Sequence, residues 1–436
     1  MSRTAPVNLP RVLSWLAGLI IALLPFHAFL TVWLASLTGH YTLLRIWKEI
    51  LLVPIVVGSL YLLLIDRPLL KRFAASRLVQ TIFLYLVLLL ACGLLAFIIG
   101  DVNKKAMFYG LLVDSRFLVF FLSVLVIAYK DGWLSRHWLQ LLLGPAILVA
   151  AIAILQFLIL PYDFLKHFGY NQSTIFPYET INHNIHHLRV MSTLRGANPL
   201  GAYLLIPISV LVVYLFREKR ERLDKLFILA GTSLALLFAF SRSAWLGAAV
   251  SVFTVAWLSF RSFKIRKEIA WILIIALSIL IGLIFSLRNN LTFENAVFHT
   301  DRVSTAKVSS NQGHVAAFKA SVKDIGHHPL GQGVGSAGPQ SVYNDHPARI
   351  AENYFIQIGQ EAGVVGMIFF IVICAITGVF LYRSRADPLS LALLASLVGI
   401  SLVNLLSHAW SDDTLAYIWW GLAGIALTKP ILKKNT

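Results

Sequence analysis

The feature that most constrains this chain is a succession of apolar blocks, each roughly 17–29 residues long and nearly free of charge. At 1.5 Å per residue a helix of that length crosses a hydrocarbon core of about 30 Å. Inside lipid no water can satisfy backbone N–H and C=O groups, so only helices and closed barrels span it. A barrel would show segments of about ten residues with alternating polarity, and these blocks do not alternate. The chain is therefore expected to be all-α, a polytopic membrane helical bundle. About twelve spans are read at 12–37, 41–65, 78–99, 106–128, 138–160, 197–216, 223–240, 243–260, 268–286, 353–381, 389–406 and 413–428. Composition agrees: 58% of the 436 residues are hydrophobic and 13% are charged, against roughly a quarter charged in ordinary soluble chains.

Loop charges set the orientation. "DRPLLKRFAASR", "REKRERLDK", "RSFKIRK", "YRSR" and the tail "KPILKKNT" are densely basic. "SLTGHY", "GDVNKKA", "FSRSA" and "SHAWSDD" are nearly bare. The positive-inside rule places the first set, and both termini, in the cytoplasm. The apolar run from Val12 to Leu37 is too long for a signal h-region and is read as a retained first helix. Residues 1–286 then hold spans one to nine with an outward loop at 161–196, residues 287–352 form a second outward loop, and residues 353–436 hold the last three spans and a cytoplasmic tail.

The net charge of +17 does not indicate nucleic acid, because the basic residues cluster in short loops, where topology and anionic lipid account for them. Cys92 and Cys374 lie inside apolar blocks and suggest neither a disulfide framework nor a metal. "HNIHH", from His183 to His187, lacks a carboxylate or thiolate partner at metal-ligand spacing. "GQGVGSAG" is not followed by Gly-Lys-Ser/Thr; its glycines suit a tight irregular turn rather than a nucleotide.

Polar signals gather on the outward side. Arg189 and Arg195 flank "VMSTL". Each is either a snorkelling side chain or part of a clamp whose planar fork matches phosphate oxygens. Arg242, in "FSRSAWLG", sits in a short outward loop with no topological purpose; such a group usually faces a bundle interior or cavity. Glu352 and Asn353 open the tenth span. A carboxylate there is favoured by the helix dipole, or it serves as a general base. Arg349 nearby could hold Glu352 ionised. Arg45, Lys48 and Glu49, with Asp114 and Arg116, lie inside the second and fourth spans, where they either pair with one another or line a common cavity. Val315, Phe318, Val322 and Ile325 recur at helical spacing and predict an amphipathic helix on the membrane surface or over a cavity.

Four stretches, "RVMSTLRGANPLGAYL", "FSRSAWLGAAV", "GHVAAFKASVKDIGHHPLGQGVGS" and "AENYFIQIGQEAGVVGMIFF", occur in an order that resembles the O-antigen ligase and O-antigen polymerase superfamily of bacterial membrane glycosyltransferases. The resemblance implies a metal-independent, inverting transfer with no cofactor. A glycan would pass from undecaprenyl diphosphate to a glycan, lipid or protein acceptor on the outward, periplasmic face of the inner membrane. By motif position it implies Arg242, Arg189 and Arg195 as diphosphate contacts, Glu352 as base, and Asn353 and Arg349 as substrate-side neighbours. Ligases open the last motif with a histidine in a "HN" pair. Here the pair is "EN", which favours a polymerase or a broadly defined member over a lipid A–core ligase. The alternatives are a secondary transporter of the major-facilitator type, which the missing glycines of "DRPLLKR" and the position of the long loop disfavour, and an inactive scaffold of polysaccharide assembly.

Overall fold

The computed structural model describes residues 8–181, 184–217, 222–260 and 310–432. The expected ninth span at 268–286, residues 287–309 of the second long loop, and His183 lie outside the described residues.

The first apolar run does not form one helix. It divides into α1 (Leu9–Leu23) and α2 (His27–Thr38) across a 3-10 turn at Leu24–Phe26. Pro25 is the cause, since it lacks an N–H and its ring clashes with the preceding turn. Carbonyls at such a break need donors inside an apolar bundle: Phe29 N–H turns to the Thr193 carbonyl instead of that of Pro25, and hydroxyls supply donors here. Thr193 Oγ1 donates to the Pro25 carbonyl at 2.7 Å, and Thr414 Oγ1 to that of Leu24 at 3.1 Å. The expected second span is also divided, into α3 (Tyr41–Arg45) and α4 (Trp47–Ile65).

A short helix, α5 (Arg67–Ala75), joins α4 to α6 (Arg77–Ile99), which is followed by α7 (Lys104–Lys130) and α8 (Trp133–Leu158). The first long loop contains an antiparallel ribbon, β1 (Glu179–Ile181) with β2 (Asn184–Arg189). Then come α9 (Ala197–Arg217), α10 (Arg222–Phe238), α11 (Arg242–Ser259), α12 (Ser310–His327), α13 (Tyr354–Arg383), α14 (Pro388–Asn404) and α15 (Asp413–Leu432). Among the described residues, eight helical segments are long and apolar enough to cross a membrane. The predicted spans at 223–240, 243–260 and 389–406 correspond to the shorter α10, α11 and α14.

Large apolar side chains stay exposed along the flanks. Val53, Val57, Leu60 and Leu64 on α4 and Phe83 and Ile98 on α6 are examples. A surface of this kind suits a lipid solvent. In the interior α15 packs along α7, and α11 packs against α14 and α9. Small residues bring α11 and α14 together: a Cβ on Gly399 would stand 2.3 Å from the Gly247 carbonyl oxygen. Close backbone approach is how membrane helices gain dispersion energy. Trp410, Trp419 and Trp420 are fully buried with Phe117 and Phe120.

α13 kinks at Gly363, whose φ is 71° and ψ −177°. The loop carrying the glycines docks on this break. Val364 N–H donates to the Pro329 carbonyl, Gln332 N–H to that of Gln360, and Gly333 N–H to that of Glu361. Gly331, Gly333, Gly335 and Gly338 all have positive φ, so the stretch is an irregular turn packed against membrane helices. Glu361 is fully buried and accepts from Gly335 N–H at 2.9 Å and Gln340 Nε2 at 2.8 Å.

The two ends of the bundle differ. At one end, basic side chains tie helices together: Lys130 to Asp66 at 2.6 Å, and Arg72 to the Leu432 carbonyl at 2.7 Å. At the other end the loops enclose a polar cavity.

Candidate functional site

The cavity has a volume of about 560 Å³, within the usual range for small-molecule sites. Its floor is a charge network drawn from four helices. The Pro25 break delivers His27, the first turn of α4 delivers Lys48 and Glu49, and α7 and α15 contribute Arg116 and Asp413. Lys48 Nζ lies 3.2 Å from Glu49 Oε2 and 2.9 Å from Asp413 Oδ2. Arg116 Nη1 contacts Glu49 Oε1 at 2.8 Å, and its Nη2 contacts Asp413. Two cations thus meet two carboxylates. Trp47 Nε1 donates to His27 Nδ1 at 2.9 Å, and His27 Nε2 lies 3.3 Å from Lys48 Nζ and 3.7 Å from Asp413 Oδ2. Lys48 and Arg116 are only 2% and 7% exposed, so neither charge could persist there without its partners. Of the two readings left open for Lys48, Glu49 and Arg116, both hold: they pair, and they line the cavity. Asp114 is placed differently. It is buried and accepts from Tyr354 Oη at 3.1 Å.

One wall comes from the segment between β2 and α9. Val190, Met191, Ser192, Thr193 and Leu194 are all buried. Ser192, with φ 53°, donates its hydroxyl to the Val149 carbonyl at 2.7 Å, and its N–H donates to Gln156 Oε1 at 2.9 Å. The anchored stretch holds Arg195 at its outer end, exposed and lining the cavity. Arg189, at its other end, bonds Asn198 Oδ1 at 2.6 Å, the Ala239 carbonyl at 3.1 Å and Glu179 Oε2 at 3.6 Å. Asn198 and Glu179 line the cavity, so Arg189 sits one layer behind it. Arg242, the first residue of α11, is half-buried and close enough to Arg189 for the two charges to repel. Arg45 lines the cavity opposite, exposed, with its guanidinium 5.6 Å from the Tyr109 ring.

Glu352 lies at the mouth with φ 53°, a conformation unusual for a residue with a Cβ. Its Oε2 stands 3.8 Å from His314 Nδ1 on α12 and 3.8 Å from His408 Nδ1. Burial holds the His408 imidazole below the usual histidine range; Glu352 and Asp412 oppose that shift, while Arg195 and His314 add to it. Asn353 is buried and caps α13, accepting from Ile356 N–H at 3.0 Å and donating to the Leu405 carbonyl at 3.0 Å. Arg349 bonds Gln332 and lies 3.9 Å from Asp324, so it ties the glycine loop to α12. α12 itself leaves Val315, Phe318 and Val322 exposed while Ile325 packs over Gly359.

Of the residues singled out from the sequence, Arg195 and Glu352 share the cavity, Arg189 and Arg242 stand together behind one wall, and Asn353 and Arg349 fix the frame around Glu352. His27, His408 and Asp413 were not singled out. Their signal was a titratable residue inside the first apolar run, in "PFH", and in the short connection "SHAWSDD". Among the described residues no group of three or more His, Cys, Asp or Glu side chains could hold a metal ion.

Apolar flanks, helices of spanning length and a charged cavity at one end define a multi-pass helical membrane protein with an enclosed polar site. Residues 226–371, about a third of the chain, match the family model described as O-antigen ligase, and this match supports the resemblance to the O-antigen ligase and polymerase superfamily. The match contains α11, the described α12 and the kinked start of α13; the Arg189–Arg195 segment precedes it. No curated protein matches the chain significantly. The family supports a glycan-ligating membrane function with lipid-linked glycan and acceptor substrates.

Proposed function

We propose that the protein is an inverting glycosyltransferase of the bacterial inner membrane. It moves a glycan from undecaprenyl diphosphate to an acceptor, with both termini cytoplasmic and the cavity facing outward. The observation that carries this reading is that Arg195 and Glu352, a cation and a carboxylate from separate loops, line one cavity at the end of the bundle. The leaving group is a diphosphate whose charge grows as the glycosidic bond breaks. Cations already placed along the cavity wall meet that charge as it develops. Arg195 and Arg45 supply them directly. Arg189 and Arg242 add positive potential from behind Asn198 and Glu179. The Lys48, Arg116, Glu49 and Asp413 network is internally neutral, so it orients the floor instead of competing for the diphosphate. The acceptor hydroxyl attacks from the Glu352 side, opposite the leaving group, and a proton acceptor there completes an inverting displacement.

Purified protein incubated with a lipid-linked oligosaccharide tests the reading. A ladder of extended products identifies a polymerase and a single shifted acceptor band a ligase. The absence of any transferred product, with every acceptor class supplied, would refute it.

A further inference from the structure

We propose that the proton acceptor is His408, with Glu352 as its positioning carboxylate. The inference rests on the glycosyl-transfer reading and deepens it. His408 lies in the short connection between α14 and α15 and lines the same cavity. Its Nδ1 is sealed from solvent, has no hydrogen-bond partner, and faces Glu352 Oε2 at 3.8 Å. The exposed edge of the ring is then the Nε2 side. A carboxylate at Nδ1 and an open Nε2 is the arrangement in which an acid orients an imidazole base and stabilises the imidazolium it becomes. The 3.8 Å separation is looser than a hydrogen bond, as catalytic contacts often are before substrate binds.

Three further features support the assignment. Burial keeps the ring neutral, and therefore able to accept a proton. Glu352 is held in a left-handed conformation, and such local strain clusters where a side chain must be aimed. His314, on α12, approaches the same Oε2 at 3.8 Å, so the carboxylate is gripped from the roof while it faces His408. The other charged groups around His408 are Arg195 and Asp412. In the step itself, the acceptor hydroxyl loses its proton to His408 Nε2 as its oxygen bonds the anomeric carbon. The bond from that carbon to the diphosphate oxygen breaks, and the electron pair leaves with the diphosphate.

The test uses full-length protein in membranes with lipid-linked oligosaccharide. H408A and H408Q should each lower transfer about 100-fold or more with the donor KM unchanged, the range general-base loss covers. E352A should fall comparably, and E352A/H408A no further, because paired groups act as a unit. E352H in the H408A background should restore at least a tenth of the activity, which a purely structural role for His408 would not allow. The acidic limb of the pH–rate profile should disappear in H408Q. If H408A and H408Q keep near-normal transfer while E352A loses it, the dyad is wrong and Glu352 acts alone. If the unsubstituted protein transfers nothing, the glycosyl-transfer reading itself fails and takes the dyad with it.

Discussion

The hydroxyl of Thr193 donates to the carbonyl of Pro25 at 2.7 Å, across 168 residues of sequence. This bond joins the break in the first apolar run to the loop that presents Arg195. It satisfies a carbonyl left open where Phe29 N–H turns to Thr193 and anchors the wall of the cavity. The broken helix and the arginine loop therefore form one unit.

Thr193→Val keeps the shape of the side chain and removes the donor. An unsatisfied buried carbonyl costs about 1–3 kcal/mol. Thermal unfolding in detergent should show the loss, and glycan transfer should fall because Arg195 is no longer held in place. Unchanged stability would mean that the Thr193 hydroxyl does not anchor the loop.

Arg116 meets both Glu49 and Asp413. Arg116→Met leaves two carboxylates facing only Lys48, and breaking a buried pair of this kind costs about 3–5 kcal/mol. Adding Asp413→Leu removes one of the stranded charges and should recover much of the loss. The buried Trp410, Trp419 and Trp420 provide a fluorescence signal for both measurements. A double variant as unstable as the single one would contradict the charge bookkeeping.

Gly363 has φ 71° and ψ −177°, and a Cβ there would stand 2.5 Å from the Pro329 carbonyl oxygen. That backbone region is open essentially to glycine alone, and strain there is of the order of 1–3 kcal/mol before the clash is counted. Gly363→Ala should undock the glycine loop. Limited proteolysis should then cut residues 329–338 faster than in the unsubstituted protein.

His408 is less easily protonated in the folded protein than at its ordinary value of 6.5. As pH falls below that value, the unfolded chain binds the proton first, so folded-state stability declines on the acid side and is unaffected above it. H408N should flatten that part of the stability profile. A steeper decline in H408N would show that His408 stabilises the fold as a cation.

The spans were legible because a hydrocarbon core demands long apolar runs, and the described helices fall where those runs lie. The breaks were hidden. Pro25 and Gly363 sit inside apolar stretches, and proline or glycine in a membrane helix does not by itself reveal whether donors will arrive to satisfy a break. The β1–β2 ribbon was masked by a loop rich in polar residues. Arg195 and Glu352 stood out as charges at the borders of spans. Arg189 and Arg242 looked equally exposed in sequence, yet Arg189 is taken up by Asn198, Glu179 and the Ala239 carbonyl, which only the folded chain brings near. Lys48, Arg116 and Asp413 come from three helices far apart in sequence, so their pairing is a property of packing. His408 and Asp413 lay in a short loop that drew notice only for its lack of basic residues.

The central claim, that this cavity holds the diphosphate of a lipid-linked donor, is tested most directly by binding. Undecaprenyl diphosphate would be titrated against the protein in nanodiscs, with R195A, R45A and the R45A/R195A pair compared with the unsubstituted chain. The account predicts that each single change weakens binding about tenfold or more, since a charge-assisted contact is worth roughly 1.5–3 kcal/mol, and that the pair weakens it further. Undiminished affinity in the double variant would contradict it.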